Sequence, residues 1–197
     1  MEENKTHKHN HENNTTVFGN ERVYHRGVDR LRSKDRIERL EVERVVDLCL
    51  EENIKSVLDI GTGSALFAEE FFKKGAKVAG IDSNPEMVEA AKQFVAEGEF
   101  HLAPAEKIPF KDNEFDMTFF GVVFHEVDDY EKALSEAFRV SVIGTSLLEW
   151  DYKQEEYGPP IEHRLKPEFI KKIALETGYK EVQVIKLNSL VLYKLIK

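Results

Sequence analysis

The feature that most constrains the fold of this chain is an alternation between short apolar runs and longer segments with helical periodicity. The apolar runs lie at 57–60, 78–81, 100–103, 117–124 and 146–150, and the helical segments lie at 65–74, 85–97, 130–140 and 167–177. Strands that alternate with helices form parallel sheets, because a parallel pair of strands needs a long crossover connection. The sequence therefore predicts an α/β domain whose parallel sheet carries helices on both faces.

The end of the chain departs from this alternation. Two strand-like runs, 181–187 and 190–196, are separated only by Asn188 and Ser189. So short a link joins antiparallel neighbours only. We therefore expect a doubly wound, mostly parallel sheet that includes an antiparallel C-terminal hairpin strand near one edge.

The composition of the 197-residue chain excludes several classes of protein. The formal net charge is −9, which argues against nucleic acid as a partner and favours a small molecule. The only cysteine is Cys49, so one chain forms neither a disulfide framework nor a cysteine metal cluster, and a reducing compartment is expected. No run of 18 apolar residues occurs, and the N-terminus lacks the apolar stretch of a signal peptide. We expect a cytoplasmic protein that binds neither nucleic acid nor membrane.

The chain before the alternating pattern divides into two parts, of which the first is polar. Residues 1–16 contain no large apolar side chain after the initial methionine, and we expect them to form a disordered tail. Within this tail His7, His9 and His11 alternate with other polar residues, so the alternatives are a metal-chelating stretch and a solvated tail. A solvated tail is expected, because no folded frame holds the imidazoles.

The second part, residues 17–53, is interpreted as an N-terminal helical extension packed on a domain formed by residues 54–197. Ser33 is a candidate N-cap. One apolar stripe consists of Ile37, Leu40, Val45, Leu48 and Cys49. Arginines interleave with acidic residues along this extension, a mixture that is typical of a solvated face and not of an anion site.

The segment SVLDIGTGSALFAEEF, residues 56–71, reads as a buried strand, a glycine break and a helix. In an open parallel sheet a ligand sits outside the carboxyl ends of the strands, where a glycine-rich turn lets it approach the backbone. Gly61 and Gly63 are placed for that contact, and the alternative is that they serve packing alone. Asp82 ends the next strand at the separation where an acid takes ribose hydroxyls. Leu66 stands where a dinucleotide fingerprint has its third glycine, which argues against a nicotinamide oxidoreductase.

The pattern D-x-G-x-G-x-A, from Asp59 to Ala65, resembles that of the class I S-adenosylmethionine-dependent methyltransferases. The resemblance continues through GIDSNPEMVEAAK, AEKIPFKDNEFDMTFFGVVFHEV and EKALSEAFRV, which look like the type 11 subgroup that includes quinone-precursor C-methyltransferases. It covers residues 56–150 densely, and the terminal hairpin matches that family's sheet independently of the motifs. The resemblance implies a Rossmann-like fold, S-adenosyl-L-methionine as the cofactor and S-adenosyl-L-homocysteine as the product.

Position by position, the same resemblance implies a set of cofactor-binding residues along the carboxyl edge of the sheet. The methionine part would be surrounded by Asp59, Gly61 and Gly63, and the ribose hydroxyls would be accepted by Asp82. The remaining implied contacts are Ser83 and Met87 beside the ribose and adenine, Ala105 and Glu106 at the adenine edge, and Phe120 and Gly121 under the sulfonium. The alternative for Asp59 is that it only caps the turn.

Three further residues are candidates for a catalytic base. His125 lies just past an apolar strand, and Glu149 ends the next strand on the same edge of the sheet. His163 falls in a proline-containing loop of about the length of a substrate lid. Two of them have a structural alternative: His125 only satisfies a loop carbonyl, and His163 only belongs to a structural loop. A base is needed only when the acceptor must lose a proton.

The sequence therefore predicts methyl transfer from S-adenosylmethionine to a small-molecule acceptor whose identity it leaves open. The alternative is a non-catalytic S-adenosylmethionine-binding sensor or regulator, which would lack a second cavity adjoining the methyl group. We expect no metal ion in the site. We also expect the N-terminal helices to cover the pocket, because nothing else in the chain remains to do so.

Overall fold

The computed structural model describes residues 27–50 and 53–197. The predicted tail at 1–16, its three histidines and the first part of the helical extension lie outside these residues. The strands of the described part are β1 (Ser56–Ile60), β2 (Lys77–Asp82), β3 (Glu99–Leu102), β4 (Phe115–Gly121), β5 (Ser141–Trp150), β6 (Glu181–Lys186) and β7 (Leu190–Ile196). Its α-helices are α1 (Val28–Leu31), α2 (Lys34–Arg39), α3 (Val42–Cys49), α4 (Leu66–Lys73), α5 (Pro85–Phe94), α6 (Tyr130–Val140) and α7 (Pro167–Thr177). None of these helices is long and apolar enough to cross a membrane.

The strands form one sheet in the order β3-β2-β1-β4-β5-β7-β6. Strands β1 to β5 run parallel, β7 is antiparallel to β5, and β6 is antiparallel to β7. The predicted mostly parallel sheet with a reversed strand beside its edge is therefore confirmed. β5 begins at Ser141 and not at residue 146, because the chain passes from α6 into the sheet without an intervening loop.

Alternation of side chains along the central strands divides the core into two layers. Phe119 packs on the face covered by α3, α4 and α5, while the next residue, Phe120, packs on the face covered by α6 and α7. The same division separates Val57 from Leu58 on β1. The sheet is therefore doubly wound, and its strand order reverses between β1 and β4, which is where ligands bind in such sheets.

The N-terminal extension is helical in its described part, but it is broken into three pieces. Ser33 occupies the N-cap position of α2 without a side-chain capping bond, and Glu41 (φ 49°) interrupts the chain before α3 in a left-handed conformation. Of the predicted apolar stripe, Leu40, Val45 and Cys49 are buried. The other two members of the stripe, Ile37 and Leu48, pack against the same core layer from its surface.

Helix α4 begins after a residue in the left-handed region. Ala65 has φ 57° and ψ 33° and is fully buried. This conformation costs a residue with a Cβ roughly 1–2 kcal/mol, which is why glycine is favoured there. The loop therefore stores strain at Ala65.

We expect Ala65→Gly to change the free energy of unfolding by no more than about 1 kcal/mol, because relief of strain offsets the lost burial of one methyl, about 0.8 kcal/mol. The matched control is Ala68→Gly, which removes an equally buried methyl inside α4, where glycine costs about 1 kcal/mol more than alanine. Urea denaturation should find Ala68→Gly the less stable variant by at least about 1 kcal/mol. Equal destabilisation by the two variants would show that the left-handed conformation of Ala65 stores no strain.

Candidate active site

The carboxyl ends of β1, β2, β4 and β5 face a cavity of about 820 Å³. That volume lies in the range of cavities that hold a drug-sized ligand, about 300–1,000 Å³. The sheet edge supplies one side of the cavity, and the other side is formed by α1, α2 and the loop 151–163. The N-terminal helices thus cover the pocket, as the sequence predicts.

The turn after β1 lies on the cavity wall and carries the two predicted glycines. Gly61 and Gly63 have φ angles of +68° and +53°, in the left-handed region. A Cβ on Gly61 would lie 2.5 Å from Val123 Cγ2, so only glycine fits there. The backbone N–H of Thr62 donates to the Ile81 carbonyl at 2.9 Å, which ties the turn to β2. A ligand can therefore approach this backbone closely.

Asp59 lies beneath the turn and does not line the cavity. Its side chain is 2% exposed, and its Oδ2 accepts a hydrogen bond from Thr62 Oγ1 at 2.7 Å. The Ala68 backbone N–H also donates to it. Burial raises the pKa of Asp59 from its ordinary value of 3.8 to about 7, and the nearby Asp82 adds to this rise. The contacts of Asp59 are those of a residue that holds the turn, and its predicted contact with a cofactor stays a prediction.

Asp82 lies on the cavity wall at the end of β2, where it joins two turns. Its Oδ2 accepts the Gly63 N–H at 2.8 Å, and its Oδ1 accepts the Asn84 N–H at 2.8 Å. Each carboxylate oxygen can accept a second hydrogen bond, so the Asp82 carboxylate has capacity for two hydroxyl groups. Burial raises the pKa of Asp82 above its ordinary value, while the backbone hydrogen bonds oppose that rise. Ser83 and Met87 extend the same wall.

The loop after β3 brings Ala105 and Glu106 to the cavity wall. Glu106 Oε1 accepts the backbone N–H groups of Asp128 at 2.9 Å and Asp129 at 3.2 Å. These two hydrogen bonds connect the loop after β3 with the loop after β4. Glu106 therefore shapes this wall as well as lining it.

The end of β4 crosses the middle of the cavity wall. Phe120 and Gly121 line it, and a Cβ on Gly121 would lie 2.7 Å from the Phe67 ring. The next residue, Val122, has φ 54° and also lines the cavity. A β-branched residue in the left-handed region is strained, and such strain clusters at functional sites.

His125 and Glu149 form a buried pair at the far end of this wall. His125 lies in the 3-10 turn Phe124–Glu126 after β4, and Glu149 lies near the end of β5. The ring atom Nδ1 of His125 lies 2.9 Å from Glu149 Oε2 and 3.1 Å from Oε1, and the backbone N–H of His125 donates to Oε1 at 3.1 Å. Since a carboxylate only accepts hydrogen bonds, Nδ1 carries the hydrogen. Glu149 is 1% exposed and lies behind His125, which itself lines the cavity.

The loop 151–163, which we call the lid loop, is held in shape by Arg164. The Arg164 guanidinium donates to the carbonyls of Pro159, Asp151, Lys153 and Tyr157 at 2.6–3.0 Å. Only 5% of Arg164 is exposed, and Gly158 of the lid loop packs on the Trp150 ring. This arrangement places Tyr157 and His163 on the cavity wall.

The N-terminal helices contact both ends of the site. Leu31 lies against Gly63, since a Cβ built on that glycine would be 3.4 Å from Leu31 Cδ1. Arg32 donates to the Ser64 carbonyl at 2.8 Å and forms an ion pair with Glu69. At the other end, the Arg39 guanidinium stacks on the Tyr157 ring at 3.8 Å and so joins α2 to the lid loop.

The structure brings most of the predicted site residues to one cavity. Those that line it are Gly61, Gly63, Asp82, Ser83, Met87, Ala105, Glu106, Phe120, Gly121, His125 and His163, and those that lie behind it are Asp59 and Glu149. Sequence reasoning missed Arg164 and the cavity-lining arginines of α1 and α2. Interleaved charges pointed to a solvated face, whereas Arg30, Arg36 and Arg39 lie on the cavity wall. Within residues 27–50 and 53–197, no group of three or more His, Cys, Asp or Glu side chains is arranged to hold a metal ion.

Comparison with known proteins adds independent findings. Residues 58–148 match the family model described as a methyltransferase domain. The crystal structure of a SAM dependent methyltransferase from Aquifex aeolicus aligns with a TM-score of 0.76 at 27% identity, over 86% of this chain and 96% of that one. Residues 58–148 are therefore similar to a methyltransferase domain. Its sheet is that of the class I methyltransferase fold, and the resemblance predicted from the sequence motifs is confirmed.

Two enzymes named demethylmenaquinone methyltransferase are among the proteins similar to this chain. The Thermotoga maritima protein is 35% identical over 100 residues, and the Thermus thermophilus protein is 37% identical over 111 residues. These matches cover 50% and 53% of this chain but 44% and 50% of the relatives, so the chain spans about half the length of the curated relatives it matches. The segment 58–148 that matches the family model contains the glycine turn, Asp82 and His125, whereas α2 and the lid loop lie outside it.

The raised pKa of Asp59 predicts how stability depends on pH. Between the ordinary value of 3.8 and about 7, the folded state holds a proton that the unfolded state has lost. Stability therefore falls as pH rises through this window, by up to about 1.4 kcal/mol per pH unit, and levels off above it. Asp59→Asn cannot ionise and should lack this contribution. As pH rises from 5 to 7, the free energy of unfolding of the wild type should therefore fall relative to that of Asp59→Asn.

Urea denaturation at several pH values measures that difference, and the Asp82 contribution cancels because both proteins retain it. Thr62→Val offers a second arm, since its hydroxyl donates to Asp59 and holds the pKa down. Loss of this hydroxyl should raise the pKa of Asp59 further, so stability should continue to fall to a higher pH than in the wild type. Parallel stability curves for the wild type and Asp59→Asn would contradict the raised pKa.

Proposed function

We propose that this protein transfers a methyl group from S-adenosyl-L-methionine to a small-molecule acceptor and releases S-adenosyl-L-homocysteine. The observation that carries the proposal is that the Gly61–Gly63 turn, Asp82 and His125 line one cavity, with Glu149 bound to His125 from behind. The first two fit a nucleoside cofactor, and the pair fits removal of a proton from an acceptor. A sensor that only holds the cofactor has no use for such a pair, so an enzyme is favoured over the alternative.

The cofactor end of the site fits S-adenosylmethionine on its own geometry. Gly61 and Gly63 have no side chains to obstruct a ligand, and Asp82 has capacity to accept both ribose hydroxyls. Met87 and Ala105 supply apolar surface beside this acid, and Phe120 supplies it where β4 ends. When bound, S-adenosylmethionine supplies an already activated methyl group, so the protein's tasks are alignment of the acceptor and proton transfer.

In the proposed mechanism His125 is the general base. Glu149 accepts the Nδ1 hydrogen and fixes the ring, so Nε2 is the atom assigned to take the acceptor's proton. The imidazolium that forms is stabilised by Glu149, which is buried against it, and by Glu126, whose Oε1 lies 3.7 Å from Nε2. Glu149 therefore acts as a positioning residue. His163, on the opposite lid loop, is the second candidate for the base.

The acceptor of the named relatives is not carried over to this chain. The part of the chain that matches the family model, 58–148, supplies the cofactor side of the cavity. The cover over the acceptor side comes from α2 and the lid loop, which lie outside that part. Reaction type and acceptor identity are therefore separate questions, because a fold supports many acceptors.

The cofactor half of the proposal predicts that Asp82→Ala weakens S-adenosylhomocysteine binding by roughly ten- to a hundredfold, since hydrogen bonds to a charged group contribute about 1.5–3 kcal/mol. Isothermal titration calorimetry measures this, and thermal melts check that the variant folds. Glu89→Ala, which removes an exposed carboxylate from α5, is the matched control and should bind like the wild type. Wild-type affinity in Asp82→Ala would refute the assignment of this site.

The catalytic half predicts that His125→Gln leaves S-adenosylhomocysteine affinity within a few-fold and slows methyl transfer by roughly 10²- to 10⁴-fold. Glu149→Gln should slow turnover as well and displace its pH profile, because the amide no longer stabilises the imidazolium. His101→Gln, an exposed histidine on β3 outside the cavity, is the control. Turnover is followed as S-adenosylhomocysteine release once a screen of metabolites has supplied an acceptor. Unchanged turnover of His125→Gln at saturating acceptor would transfer the role of base to His163 or remove the need for one.

A further inference from the structure

Helices α1 and α2 cover the cavity without belonging to the core. Neither of these two described helices contains a buried residue, whereas α3 buries an apolar face that includes Val45 and Val46. The two helices are four and six residues long, and helices of that length are marginal without tertiary contacts. We call residues 28–39 the N-terminal flap. Its place over the cavity therefore depends on its contacts with the rest of the protein.

The N-terminal flap meets the core at a change in backbone direction. Leu40, which directly follows α2, is 1% exposed and belongs to the core layer under α3. Glu41 follows in the left-handed conformation (φ 49°, ψ 42°) and separates α2 from α3. Its Oε1 accepts the Asn188 backbone N–H at 2.9 Å, between β6 and β7. Residues at the ends of elements commonly serve as hinges, and Leu40 and Glu41 form an anchored junction of this kind.

Arg32 fastens the flap to the domain on the side of the glycine turn. Its guanidinium donates to the Ser64 carbonyl at 2.8 Å and forms an ion pair with Glu69 of α4. The same group stacks on the Phe94 ring of α5 at 3.7 Å. The Arg32 side chain is only 17% exposed, so these contacts are less screened by water than those of a surface pair. Arg32 thus connects the flap with the turn, with α4 and with α5.

The inner side of the flap lies on the turn that the proposed function assigns to the cofactor. Leu31 Cδ1 is 3.4 Å from the position that a Cβ on Gly63 would take. Arg30, Leu31 and Ser33 line the cavity, whereas Arg32 does not. A substitution of Arg32 therefore changes how firmly the flap is held and alters no side chain of the cavity wall.

We propose that the N-terminal flap turns away at Leu40 and Glu41 to admit and release the cofactor, and that Arg32 is the latch that keeps it closed. The proposal rests on the proposed function, since it concerns access to the same site. The Arg39–Tyr157 stack, at 3.8 Å, holds the flap to the lid loop as a second contact. Both contacts can break without disrupting a core layer. A closed flap excludes water during methyl transfer, and an open one lets S-adenosylhomocysteine leave.

Stopped-flow measurement of S-adenosylhomocysteine binding tests the proposal, with the fluorescence of Trp150, the chain's one tryptophan and a cavity-lining residue, as the signal. Arg32→Gln should raise the association and dissociation rate constants together, each by at least about fivefold, because a hydrogen-bonded ion pair no longer opposes opening. The Kd should stay within about threefold, since the latch closes the empty and the occupied site alike. Loss of a direct ligand contact would instead raise dissociation alone and weaken binding.

Lys74→Gln is the matched control. Lys74 ends α4 and pairs with Asp47 at 2.8 Å and Glu43 at 3.3 Å on α3, so it also joins the N-terminal extension to α4, but beyond the junction. Because Lys74 does not line the cavity either, both rate constants should equal those of the wild type. Arg32→Lys keeps the charge without the planar group that stacks on Phe94, so its rate constants should be intermediate.

Hydrogen exchange of the ligand-free protein measures opening without any ligand. Amides of residues 34–40 should exchange faster than those of 42–49, because so short a helix does not persist when it leaves the domain. Arg32→Gln should accelerate exchange in the first set by at least about fivefold and leave the second unchanged. Equal exchange in the two sets, unchanged rate constants in both Arg32 variants, or a rise in dissociation alone would overturn the proposal. If the wild type bound no S-adenosylhomocysteine, the proposed function would fail, and hydrogen exchange would still decide whether the flap opens.

Discussion

The site depends first on the Asp82 carboxylate, which accepts one backbone N–H from the turn after β1 and another from the turn after β2. These two hydrogen bonds hold Gly63 and Asn84 in place at the ends of neighbouring parallel strands. Asp59 supports the same turn from below through Thr62. Asp59 is buried and Asp82 is partly buried on the cavity wall, and burial raises the pKa of each. The protein therefore keeps two carboxyl groups at a cost in stability, a departure that is expected at a functional site.

The cover of the cavity has a different construction from its sheet edge. The sheet side is formed by strand ends whose positions are set by the parallel ladder and by two buried core layers. The cover is formed by a six-residue helix, α2, and a lid loop with little apolar packing of its own. Arg164 holds the loop through backbone carbonyls, and the Arg39–Tyr157 stack joins loop to helix. A cover made from a few polar contacts tolerates sequence change more readily than a sheet, which suits the part of the cavity that the proposed function assigns to the acceptor.

The helices and strands of the core could be predicted from the sequence, because their periodicity reports directly which side chains are buried. Predictions failed or stopped short where the deciding contact is distant in sequence. The sequence predicts too late a start for β5, since nothing in RVSVIGTS marks the direct passage from α6 into the sheet. The sequence offers Glu149 as a candidate base but does not show that its carboxylate lies on Nδ1 of His125, 24 residues away. The arginines of α2 read as a solvated face because interleaved charges carry no information about which side of a helix meets a cavity.

The sequence by itself determined the doubly wound sheet, the reversed strand near its edge and the cavity wall at the strand ends, since these follow from local patterns: apolar periodicity, a link of two residues and glycines at a strand end. Tertiary structure alone decided which residues of α1, α2 and the lid loop line the rest of the cavity. Arg39 meets Tyr157 across more than a hundred residues of chain, and Arg164 gathers carbonyls of a loop that has no periodic pattern. Such contacts depend on where whole elements pack, and packing of distant elements leaves no regular signature in the order of the residues.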